Sequence, residues 1–317
     1  MASVIAPSQL LVAALLTWVR PLWLVVAGTL ALFAVFWIIC WVIQAVAPRI
    51  YAIARTAAKE SLAQPLFYVL LAVGISAIII FPFIPYNTFG EDLKMLKAEG
   101  LTLLKVLAVI LAVWTASVSI SEEIEGRTAL TLLSKPIARW MLVVGKFLGV
   151  IGPVVLVFLI LSPLFLASVS YKVVYDARET AAPEPKSSDC QREIVQTVPG
   201  LVLVFLEAVI LASIAVAIST RLPMLPNLLI CATIYIVGHM VPLLLNSALG
   251  RFAIVGFVSN LIAAVLPVLG HLSVETAIST GRVVPMEYLG VAVLYTSLYC
   301  LVAMILALLL FEDRDLA

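Results

Sequence analysis

Charge is scarce in this chain. Asp, Glu, Lys and Arg make up 12% of its 317 residues, about half the roughly 25% usual in soluble domains. Too little polar residue is present to coat a soluble fold, because 64% of the chain is apolar. The net charge is +1, so the sequence offers no basic surface for nucleic acid. Histidine is rarer still. Two occur, His239 and His271, with neither HxxxH nor HExxH spacing, which excludes the common zinc-enzyme signatures and leaves no metal expected. Four cysteines occur without a CxxC pair. Cys40, Cys231 and Cys300 lie in apolar runs, where a thiol packs as a small apolar group. Cys190 falls in a polar stretch. No GxSxG nucleophile elbow is present. The phosphate-loop pattern GxxxxGK[ST] fails at both ends of Gly145-Lys146, because position 140 is Trp and position 147 is Phe. The chain is therefore expected to bind no nucleotide or other cofactor and to be no enzyme in its own right.

Long apolar runs are what the sequence has instead. A run of about 20 apolar residues matches the thickness of a bilayer core. Seven such spans are expected: Leu22–Val46, Leu66–Phe83, Leu101–Ile120, Phe147–Val169, Val198–Thr220, Leu225–Leu245 and Tyr288–Phe311. The N-terminus lacks a basic start, so the first span reads as a retained helix. The preceding 9–19 stretch is too short to span and suits the interface. Between the first two spans, Ile50, Ile53, Ala54, Ala57, Ala58 and Leu62 recur at helical spacing opposite Arg49, Arg55, Lys59 and Glu60. That pattern predicts an interfacial amphipathic helix. The 252–270 run is short and interrupted by Asn260, Pro267 and Gly270, so it reads as re-entrant or surface-lying. The segments 91–99 and 171–197 read as polar loops, and Lys105 as a snorkelling side chain at the start of its span. Basic residues divide nine against ten between the two sides, so their distribution sets no orientation.

The connector between the third and fourth spans is the unusual feature. From Ser119 to Phe147 it holds four basic and three acidic side chains. Glu122, Glu123 and Glu125 follow the span at once. Gly126 permits a sharp turn. Thr128 is placed to cap a short helix over 129–134, ended by Pro136. Leu130, Leu132 and Leu133 give that helix an apolar surface outside the bilayer. Such a surface suits a groove on another protein. Arg139 and Lys146 bracket Trp140 in a manner suited to the headgroup boundary. Gly145 and Gly149 form GxxxG, which permits close helix approach.

In its order of residues the connector resembles the first cytoplasmic loop of ABC type-2 permeases, the membrane subunits of ABC transporters. The matching positions are Glu125, Gly126, Thr128, Leu132, Leu133, Ser134, Pro136, Arg139, Gly145 and Lys146. ARTAAKESLAQPLFYVLL resembles the elbow and first core helix of that family, and YTSLYCLVAMILALLLFEDRDL its last helix and charged end, so the likeness runs from Ala54 to Leu316. It implies an all-α polytopic fold: a six-helix permease core over 48–317, preceded by one extra helix in 1–47 that departs from the family. It implies a cytoplasmic coupling loop at 121–146, an extracytoplasmic loop at 171–197 and a cytoplasmic C-terminus. By the same likeness, Glu125 anchors the connector, and Arg139 and Lys146 hold its far end to the membrane surface or a partner carboxylate. The implied partners are an ATP-binding subunit holding ATP and Mg, a second permease copy or paralogue, and the lipid of the plasma or inner membrane.

Glu207 is the one carboxylate deep in a predicted span. A charge there is costly and marks a candidate functional residue. His239 lies in the same half of the membrane. It reads first as a packing histidine, and with Glu207 as a candidate element of a translocation path. A membrane enzyme or assembly factor built around that pair, without transport, is the alternative reading. A channel without an ATPase leaves the connector unexplained.

Overall fold

The computed structural model describes residues 17–84, 91–125, 138–179, 183, 185–246, 252–279 and 281–312. Ten α-helices fall within them, and no strand does. They are α1 (Leu22–Val46), α2 (Pro48–Ala63), α3 (Pro65–Ile80), α4 (Asp92–Glu125), α5 (Arg139–Glu179), α6 (Ser187–Ser219), α7 (Met224–Asn246), α8 (Ala253–Val265), α9 (Glu275–Ser279) and α10 (Met286–Glu312). Among the described residues, seven helices are long and apolar enough to cross a membrane: α1, α3, α4, α5, α6, α7 and α10. Each overlaps one of the seven runs read from the sequence, α3 together with the 3-10 turn Phe81–Phe83 that extends it. The chain is an all-α, multi-pass membrane protein.

Three of these helices outrun the bilayer. At 1.5 Å per residue, the 41 residues of α5 reach about 60 Å, twice a hydrocarbon core of about 30 Å. Helices α4 and α6, with 34 and 33 residues, reach about 50 Å by the same rise. The two segments expected to be polar loops are therefore largely helical. Residues 92–99 open α4, residues 171–179 close α5 and residues 187–197 open α6. Their charges pair across helices instead of spreading into water. Lys97 pairs with Glu193, and Lys172 lies 3.0 Å from Asp176 and 3.5 Å from Asp92. Cys190, expected in a loop, is buried on α6.

Helix α6 is the axis of the bundle, packed by α4, α5, α7 and α10. Of its central apolar window 72% is buried, against 6% for α1 and 17% for α10. Those two helices therefore lie on the periphery. Helix α2 lies along α5, and the reason is compositional. A Cβ on Gly149 would stand 2.5 Å from Ala57 Cβ and 2.9 Å from Ala54 O, and one on Gly145 would stand 2.8 Å from Ile53 Cβ. The GxxxG stripe is thus filled by the small-residue face of α2. The apolar face expected to meet lipid meets protein, with Ile50 and Ala57 buried.

Between α7 and α10 the chain forms a broken element. Helix α8 has 13 residues, about 20 Å, too short to span. A 3-10 turn at Leu269–His271 and the five-residue α9 follow. The return is held tightly to α7, for a Cβ on Gly238 would stand 2.8 Å from Pro267 O and one on Gly270 2.7 Å from Pro242 Cγ. Leu269, Leu272 and Ile278 are buried by it.

Candidate functional site

Two regions hold the residues singled out above. The first is the connector end of the bundle. Glu125 is the last residue of α4 and Arg139 the first of α5. Gly126, Thr128, Leu130, Leu132, Leu133, Ser134 and Pro136 lie outside the described residues. Arg139 and Trp140 are exposed. Lys146 does not snorkel. It is buried, donates to the backbone and hydroxyl oxygens of Ser119 at 3.1 Å each, and lies 3.7 Å from Glu60 of α2. A lysine on α5 thereby joins the last turns of α4 to α2. Asn227, unmarked in the sequence reading, is fully buried nearby. Its Nδ2 donates to Ser117 Oγ at 2.9 Å and Ala215 O at 3.0 Å, tying α4, α6 and α7. Arg221 donates to Leu310 O of α10 at 2.6 Å. The flanks of the connector, α2, the α6–α7 turn and the end of α10 therefore share one end of the bundle.

The second region lies in the interior. Lys105 of α4 is 6% exposed, which corrects the snorkelling expectation. Its Nζ is 2.6 Å from Glu275 Oε1 and donates to Ser273 Oγ at 3.2 Å. The physical reason is that a partner is delivered to it. Helix α9 packs on α4, and Ile278 fills the space over Gly200. His239 of α7 meets Ser273 Oγ with Nε2 at 3.1 Å and Tyr235 O with Nδ1 at 3.0 Å. The same Nε2 is 3.3 Å from Glu207 Oε1. Glu207 itself is wholly buried. Apart from that ion-pair contact, which is not aligned as a hydrogen bond, neither of its oxygens has a hydrogen-bond partner among the described residues.

The structure thus brings Glu207 and His239 together and adds Lys105, Ser273 and Glu275. Sequence reading missed the last two. Their one signal was a carboxylate, Glu275, just past an apolar run too short to span. At the other end of α4, the carboxylates of Asp92, Asp176 and Glu179 lie within 4.8 Å of one another. Lys172 pairs with two of them and donates to Pro82 O at 3.1 Å, so an ammonium already answers that acidic group. No protein-family model matches the sequence, and no curated protein does.

Proposed function

We propose that this chain is the membrane subunit of an ABC transporter, an exporter-type permease working with a second permease copy and with separate ATP-binding subunits. The observation that carries the reading is the ordered connector pattern from Glu125 to Lys146. The placing of its flanks supports the reading. The connector joins α4 to α5, and both pack on the axial α6. Lys146 and the Gly145/Gly149 stripe bind α5 to the end of α4 and to α2. A displacement of the connector would therefore move three helices together and act on the core. ATP and Mg are bound by the partner, whose nucleotide-driven closure would shift the bundle between inward-open and outward-open states. In this reading the connector and the C-terminus face the cytoplasm, and the 129–134 helix is the coupling helix.

The test is the double substitution Leu132→Asp/Leu133→Asp in the full chain. Two charges on the docking surface abolish co-purification of the ATP-binding subunit and leave membrane insertion intact. Normal recovery of that subunit with the variant overturns the docking reading.

A further inference from the structure

Hydrogen-bond directions in the interior cluster bear on where its protons sit. A carbonyl oxygen only accepts hydrogen bonds, so His239 Nδ1, 3.0 Å from Tyr235 O, carries a hydrogen. Lysine only donates, so Ser273 Oγ accepts from Lys105 and its own hydrogen is free to go to His239 Nε2 at 3.1 Å. With the imidazole neutral, Nε2 is then an acceptor, and it stands 3.3 Å from Glu207 Oε1. Two bare acceptors at that separation repel. A proton on the Glu207 carboxyl removes the repulsion. It also balances charge: Lys105 is matched by Glu275, so an ionised Glu207 would leave a net negative charge buried and without a donor, which is costly.

The charged and titratable groups that act on Glu207 come from α4, α7 and α9. Lys105 comes from α4, Glu275 from α9, and His239 and Tyr235 from α7. Helices α5 and α10 pack on flanking residues of α6, with Phe158 against Phe205 and the Cys300 thiol 3.9 Å from Val209 O. Lys105 is the cation among them, with two carboxylates for one ammonium.

We propose that Glu207 is a proton-binding site whose occupancy is set by the α9 segment. While Glu275 neutralises Lys105, Glu207 keeps its proton. When the 273–275 segment withdraws, Lys105 turns to Glu207. The carboxyl O–H bond then breaks, and the proton passes to His239 Nε2, 3.3 Å from Glu207 Oε1. This inference stands independently of the transporter reading.

Infrared spectroscopy of the purified full chain in lipid nanodiscs tests it. At pH 7 the wild type shows the C=O band of a protonated carboxyl, shifted by D2O and by 13C-glutamate labelling. Glu207→Gln loses the band. Glu275→Gln also loses it, although Glu207 is still present, because Lys105 then ionises Glu207. Glu287→Gln, at the exposed start of α10, retains it. A wild type without the band, a band insensitive to glutamate labelling, or its persistence in Glu207→Gln or Glu275→Gln each overturns the proposal. The labelled wild type and Glu275→Gln decide the matter if Glu207→Gln does not fold.

Discussion

Lys105 and Glu275 make a buried pair of unequal members. Removing one partner of such a pair typically costs about 3–5 kcal/mol, because the other charge is left without compensation. Loss of Glu275 leaves Lys105 within reach of Glu207, whereas loss of Lys105 leaves both carboxylates without it. Lys105→Met is therefore expected to lower the thermal midpoint of the purified protein more than Glu275→Gln does. Equal losses, or the reverse order, in a thermal-unfolding series would show that Lys105 has no second partner. Legibility at this scale was uneven. Glu207 stood out because a lone carboxylate in an apolar run is conspicuous. Lys105 was misread, since a lysine four residues into a span has the sequence signature of snorkelling, and only the arrival of α9 removes the need for it. Lys146, expected at the headgroup boundary or against a partner carboxylate, is buried with Ser119 and Glu60 on other helices.

Helix packing rests on a few positions where backbones approach closely. Gly149→Leu forces a side chain into Ala57 and Ala54 O and is expected to destabilise the protein by about 1–3 kcal/mol, the usual range for overpacking. Gly28→Ala on α1 meets nothing within 4 Å and is expected to be neutral or slightly stabilising, as helix propensity allows. Comparing the two by thermal unfolding and by protease sensitivity of α2 checks the seating of that helix. The amphipathic pattern of α2 was plain from its 3.6-residue period. The surface it meets was not, because lipid and an alanine-lined helix demand the same apolar face. The polar stretches at 91–99 and 171–197 were read as loops because composition favours water there. Helix continues through them because Lys97, Glu193, Lys172, Asp92 and Asp176 find one another across α4, α5 and α6.

Taken whole, the molecule is an axial pair, α4 and α6, with polar ties at three levels. One is at the connector end, one at the Lys105 cluster and one at Lys172. The apolar bulk between them buries α6 most deeply. Helix α1 stands outside this scheme, with Val25 its buried residue and Trp23, Trp37 and Trp41 exposed. Deleting residues 1–46 is accordingly expected to leave a bundle that inserts and runs monodisperse on size exclusion, with a thermal midpoint close to the full chain's. Aggregation of the truncated protein would show that α1 contributes to the core.

The sequence by itself determined the number of the spans and the short interrupted run after α7. Each of these is a sum over neighbouring residues, and hydropathy, helical period and turn chemistry are local quantities. The tertiary structure alone decided which buried polar groups meet. Lys105 and Ser273 are 168 residues apart in the chain. Their contact depends on a broken helix returning into the bundle, where low polarity makes every unpaired charge seek a partner.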